Sequence, residues 1–220
     1  MECIRFQECN VIPPVASVAT DHRFEELLGA RDWAMLPAAV RARFSKRLRG
    51  GESTAYQGVV TVMRMNRAGW VLSQMARLVG APFPFDRGCV NRPAAVIVTE
   101  DVSSDGQFWI RQYGRKQGFP QVVHSSKRFA GPTGLEEYIG YGIGMALQIE
   151  ATAQALLFKS DHFFVQVAGR RWRLPRWMNP GHVVVGHHDM GNARFRFSLT
   201  VTHRVFGVIL RQDAIFRDVS

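Results

Sequence analysis

From about residue 93 onward the chain is a succession of short segments rich in apolar or alternating residues, nearly all separated by Gly, Pro, Asp or Asn. They are 93–101, 106–114, 121–130, 144–159, 162–169, 170–175, 182–189, 194–203 and 206–216. Such spacing predicts strands joined by tight turns. Most connections are too short for the helical crossovers of a parallel sheet, so the sheet must be antiparallel. About nine strands are too many for a small flat sheet, and a sheet of that width curls strongly or closes on itself.

The N-terminal third reads differently. In "TDHRFEELLG" (20–29), Thr20 or Asp21 offers a helix cap and Gly29 a stop. Residues 33–51 predict a helix that begins near Pro37 and halts at Gly50 and Gly51. Its apolar face is Val40, Phe44 and Leu48, with Lys46 and arginines between them. Residues 55–65 are extended in character. A second helix over 66–80 has Asn66 as cap, Gly80 as stop, and Trp70, Met75, Leu78 and Val79 as apolar positions. It runs into "APFPFDRG" (81–88), where prolines hold two phenylalanines in an extended segment. The helix and loop can pack into the core, or form a lid or membrane-facing entrance to an apolar pocket.

The expected fold class is α+β: a large curled antiparallel β-sheet, lipocalin-like or a partly closed barrel, with N-terminal helices packed against it. Residues 1–20 read as a tail or first strand. Residues 21–220 read as a single domain, helical over 21–90 and sheet over 91–220.

Hydrophobic residues make up 46% and charged residues 21% of the 220, which suits a folded globular chain rather than a disordered one. The net charge of +10 favours anionic surfaces, either nucleic acid or lipid headgroups. The basic runs at 41–49, 169–176 and 194–197 are interleaved with apolar residues. No helix-turn-helix, zinc-finger or basic-arm pattern accompanies them, so nucleic acid is the less favoured partner. Cys3, Cys9 and Cys89 form no CxxC pair, which fits a reducing compartment. The first residues lack signal-peptide organisation, and no apolar run approaches a spanning length. A cytoplasmic, membrane-peripheral location is expected.

Alternation sorts side chains between faces. In 194–203, Phe195, Phe197, Leu199 and Val201 share one face. In 108–113, Trp109, Arg111 and Tyr113 share a face, where an arginine among aromatics can stack on the surface or bind an anion inside a barrel.

Several segments together resemble a known family. They are Leu36-Pro37, Trp109 to Arg111, Leu174-Pro175, Phe195 to Phe197 and His203 to Gly207. This pattern is similar to the bacterial domain of unknown function 4166, with Arg204 standing where the family usually has proline. The resemblance implies no assigned activity. It does imply cooperation with a reductase acting on an apolar substrate, which here would be a separate protein because no GxGxxG follows a strand.

Candidate chemistry is sparse. In "HHD", adjacent strand residues point to opposite faces, so His187 and Asp189 can share a space that His188 cannot. Diagnostic metal-ligand spacing is absent, and no metal or cofactor is expected. Asp189, Gly191 and Asn192 suit a hairpin turn. No GxSxG elbow is present, and Glu136 and Glu137 in "TGLEEY" read as a cap or surface turn. Glu150 lies in an apolar stretch and either faces a cavity as an acid or base, or is exposed or ion-paired. The expected site has Trp109, Arg111, Tyr113, His124 and Glu150 on the polar floor of an aromatic pocket, with Trp70 and His187 as further ligand contacts. The expected function is binding of an apolar or amphipathic small molecule, a lipid or isoprenoid-like metabolite. One alternative is an acid–base enzyme (isomerase, hydratase or hydrolase) using His124, Glu150 or Asp189; another is nucleic-acid binding through the basic surface.

Overall fold

The computed structural model describes residues 19–218. The expected tail or first strand over 1–20 falls almost wholly outside them, as do Cys3 and Cys9. The described chain opens with strand β1 (Ala19–Thr20) and three short helices, α1 (Arg23–Leu28), α2 (Ala30–Met35) and α3 (Ala38–Phe44). Strand β2 (Lys46–Arg47) follows and pairs with β1. Next come β3 (Ser53–Met65), α4 (Arg67–Ala76) with a closing 3-10 turn, β4 (Pro93–Asp101), β5 (Gly106–Tyr113), β6 (Gln121–Arg128) and β7 (Glu136–Gly140). The rest is β8 (Ile143–Ala151), β9 (Ala155–Val167), β10 (Arg170–Arg173), β11 (His182–Asp189), β12 (Arg194–His203) and β13 (Gly207–Asp218).

All pairings in the large sheet are antiparallel, in the order β9-β11-β12-β13-β3-β4-β5-β6-β7-β8. Strand β8 then pairs back to β9, so ten strands close into a barrel, with β10 attached to β9 outside the ring. Closure satisfies the edge hydrogen bonds that an open sheet would expose. Ten strands also enclose more space than an eight-stranded barrel, whose interior its own side chains can fill. The helices supply part of the missing volume. Phe24, Trp33, Leu36, Val40 and Phe44 are buried, and Phe44 stacks near Trp109 and Phe158 inside one barrel end. We call this the plugged end. The opposite, open end carries α4, the 81–88 loop, the β5–β6 connection, the β10 hairpin and the β12–β13 turn.

Several expectations shift. The helix expected over 33–51 breaks at Leu36, because Pro37 caps α3, and α3 ends at Phe44 because Lys46–Arg47 pairs with β1. Leu48 is buried without being helical. The division at residue 90 does not hold in space, since β3 lies in the ring between β13 and β4. Residues 144–159 form two strands that turn at 152–154, and β7 arises within "LEEYIG". Tyr141 and Gly142 have positive φ in the β7–β8 turn. At Gly144 a Cβ would collide with the Phe164 ring, so this glycine permits close packing of the ring on β8.

Helix α4 departs most instructively. Asn66 caps it as expected, accepting from the Gly69 N–H at 2.9 Å. Its buried face, however, is Gly69, Ser73 and Ala76, while Trp70, Val71 and Met75 are 45%, 50% and 63% exposed. Gly69 sets this orientation. A Cβ there would overlap the Ile209 carbonyl, so the helix backbone lies directly on β13 through its small residues.

Candidate functional site

Period-two alternation along β5 sends Gln107, Trp109, Arg111 and Tyr113 into the barrel and leaves Phe108 and Gln112 outside. Arg111 is paired opposite Val123, which fixes the inward phase of β6 as Gln121, Val123, Ser125 and Lys127. From β7, Glu137 reaches the same interior.

These side chains form a polar belt in mid-barrel. Lys127 Nζ donates to Glu137 Oε2 at 2.8 Å, Arg111 Nη2 donates to Glu137 Oε1 at 3.2 Å, and the Ser125 hydroxyl donates to Glu137 Oε1 at 2.6 Å. Arg111 also donates to Ser125 Oγ. Burial works against ionisation of Glu137, but Lys127 and Arg111 outweigh it and hold the carboxyl well below the usual carboxylate range. Burial lowers the Lys127 pKa, with the Glu137 charge opposing. The Lys127 ammonium also lies over the Phe158 and Trp109 rings, at 4.7 and 5.4 Å.

Two buried cations thus face one carboxylate, and Arg111 Nε is buried with no hydrogen-bond partner. Such an orphaned donor is costly in a closed interior.

Arg111, Ser125 and Glu137 line one side of a small cavity. Tyr113, Phe163, Val183 and Phe197 form apolar walls, and Pro82, Phe83 and Pro84 close it toward the open end. Its volume is about 30 Å³, room for about two water molecules. The interior is therefore much fuller than a roomy lipocalin-like pocket. Burial pushes the Tyr113 phenol up to about 12, which keeps it neutral. The closing loop is held from several sides: the Phe85 and Asp86 N–H groups donate to Gln121 Oε1 at 3.0 and 3.2 Å, Gln74 Nε2 donates to the Phe85 carbonyl at 3.4 Å, Asp86 pairs with Arg115 at 3.4 Å, and Arg87 Nη2 donates to the Asn66 carbonyl at 3.0 Å.

His187 is also inside, on the plugged side of the belt. It is 2% exposed, with Phe44, Trp109, Phe197, Phe158 and Phe195 ring centroids 5.0 to 5.9 Å away. Burial, followed by Arg43, Lys127 and Arg111, lowers its pKa well below the usual histidine value. It is a neutral ring within an aromatic cluster.

The remaining candidates lie elsewhere. His124 is opposite Ile110 on the outer face of the barrel, one residue out of phase with Ser125. Glu150 is 52% exposed and ion-paired with Lys159. Asp189 is at the end of β11, where its carboxylate accepts from the Gly191 N–H at 3.3 Å in the hairpin turn. His188 points away from His187 and meets Ser198 Oγ at 2.9 Å. Trp70 is on the outer face of α4, beneath the Arg87 guanidinium. Only Trp109, Arg111, Tyr113 and His187, of all the expected site residues, share the interior, and of these Arg111 and Tyr113 line the cavity. Among the described residues no cluster of three or more His, Cys, Asp or Glu side chains is arranged to hold a metal.

Lys127 and Glu137 are absent from the sequence-based set. Lys127 continues the inward phase of β6, which was a usable signal. Glu136 and Glu137 read as a turn because a five-residue strand offers little periodicity. In the structure both are buried on opposite faces, Glu136 with Arg171 outside the belt and Glu137 within it.

A family model described as Domain of unknown function (DUF4166) matches residues 36–216. The chain belongs to this family. No curated protein and no solved structure gives a match. The segments that carried the resemblance to DUF4166 fall at structurally distinct places. Leu36 belongs to the plug, Trp109 and Arg111 to the barrel interior, Phe195 and Phe197 to its wall, and His203 to Gly207 to the turn at the open end.

Proposed function

We propose that this DUF4166 domain binds an amphipathic small molecule with an acidic or carbonyl-bearing head, its polar end at Arg111 and its apolar body toward the open end. The observation that carries the reading is the excess of buried positive charge around Arg111, with its orphaned Nε beside an apolar cavity. An anion there would neutralise the surplus cation and occupy the vacant donor. Phe83 and its flanking prolines sit where the apolar body would lie, so the ligand enters by displacing this loop. Glu137 is held ionised by two cations and is a poor proton carrier near neutrality, which favours binding over acid–base chemistry at this site.

Native mass spectrometry of the protein purified from cells under mild conditions tests the reading. An organic-extractable adduct with an acidic head is expected, and it should be depleted in Arg111→Gln purified in parallel. Adduct-free protein from both preparations, or equal occupancy in both, would overturn it.

A further inference from the structure

The open end of the barrel has an unusual surface. Helix α4 buries its small residues and presents Trp70, Val71 and Met75 outward, with Leu78 beyond them 85% exposed. Beside it, Trp177 is 82%, Val205 78% and Phe206 57% exposed. An apolar groove of about 530 Å³ runs between α4, Met178, Pro180 and Phe206. Across the same end, Phe119 and Tyr141 are 91% and 76% exposed. Isolated exposed apolar side chains are ordinary, but this many at one end of a barrel, several of them around one apolar groove, mark an interaction surface.

Charge identifies that occupant. The segments that build the open end are 66–92, 114–120, 141–142, 168–181 and 203–207. Their one carboxylate is Asp86, which is paired with Arg115 at 3.4 Å. Asp161 flanks the face on β9 and is paired with His162 at 2.6 Å. Against these stand Arg67, Arg77, Arg87, Lys116 and Arg204, all exposed. At the plugged end, by contrast, Asp105 meets Arg23 and Arg47, Glu150 meets Lys159, and Asp218 meets Lys46. The molecule is therefore polarised, with its acids toward the plugged end and a cationic, apolar, tryptophan-bearing face at the other.

We infer that the open end docks on an anionic lipid bilayer. Tryptophans with apolar bodies and polar edges favour the headgroup level. Leu78, Met75 and Phe206 would enter the acyl boundary while the arginines meet lipid phosphates. A second copy of the chain fits poorly, because a two-fold contact would set the arginine ring against itself. The inference stands apart from the interior reading, although the same end carries the 81–88 loop through which a lipid-derived ligand would enter.

Vesicle co-sedimentation of the full chain provides the test, using phosphatidylcholine vesicles with and without phosphatidylglycerol. Binding is expected to the anionic vesicles and to fall as salt rises. Trp70→Ser, Met75→Ser and Leu78→Ser combined should weaken it by at least about tenfold. Arg67→Gln and Arg77→Gln should each weaken it by about fivefold. Val102→Ser, 81% exposed at the β4–β5 turn of the plugged end, should leave it unchanged. Equal binding of the triple variant, indifference to phosphatidylglycerol, or a wild-type dimer that the triple variant dissolves would each overturn the assignment. Arg111→Gln should bind vesicles as wild type does, so the interior reading can fail without affecting this one.

Discussion

Replacing Glu137 by glutamine removes the one carboxylate between Lys127 and Arg111 while keeping its shape. In wild type this carboxylate meets the ammonium at 2.8 Å and the guanidinium at 3.2 Å, in a site where all three side chains are buried. Removing one partner of a buried ion pair costs about 3–5 kcal/mol, because the remaining charge stays desolvated. Two cations depend on Glu137, so the upper part of that range, about 4–5 kcal/mol, applies. For a domain of this size each kcal/mol moves Tm by about 2–4 °C, giving a fall of roughly 8–20 °C. Lys127→Met should cost far less, because it removes the surplus cation and leaves Glu137 paired with Arg111. Glu150→Gln, at an exposed pair, should cost at most about 1 kcal/mol. Differential scanning calorimetry with urea melts would measure all three. A Glu137→Gln variant within a few degrees of wild type, or one no less stable than Lys127→Met, would refute the claim that the barrel buries uncompensated positive charge.

Three further outcomes follow from the same structure. The pKa of His187 is lowered in the folded state, so the unfolded chain takes up the proton first as pH falls below about 6.5. Stability should decline there by up to about 1.4 kcal/mol per pH unit from this group, and His187→Phe should flatten the decline in urea melts between pH 5 and 7. Asp101 behaves as the opposite case. Burial pushes its carboxyl up, but hydrogen bonds from Ser103, Ser126 and Ser104, with Arg128, hold it at about 2. Its contribution is complete above the ordinary carboxylate range and lost as pH falls toward 2, so Asp101→Asn should reduce stability at pH 7 and narrow its gap from wild type near pH 2. Gly69→Ala sets a methyl against the Ile209 carbonyl and should cost about 1–3 kcal/mol, read as faster hydrogen exchange over 66–80.

Much of the barrel was legible because turn residues punctuate strands whose side chains alternate. Trp109, Arg111 and Tyr113 could be grouped on one face from spacing alone. What spacing cannot supply is the partner of each strand. The opposition of Val123 to Arg111 placed His124 outside, and a five-residue β7 too short to show a period brought Glu137 in. Helix α4 misled for a different reason. Its large apolar residues imitate a core face, yet the steric freedom of Gly69 turns the small face inward. Barrel closure follows from the pairing of β8 with β9 across a turn that the sequence read as continuous strand.

Arg111 is proposed to receive an anionic head inside the barrel. Isothermal titration with decanoate and with decanol, which share a chain length and differ in charge, tests it most directly. Wild-type protein should prefer decanoate by about tenfold to a hundredfold. Arg111→Gln should lose that preference while retaining whatever affinity the apolar walls provide. Equal binding of both ligands by wild type, or a preference that survives in Arg111→Gln, would contradict it.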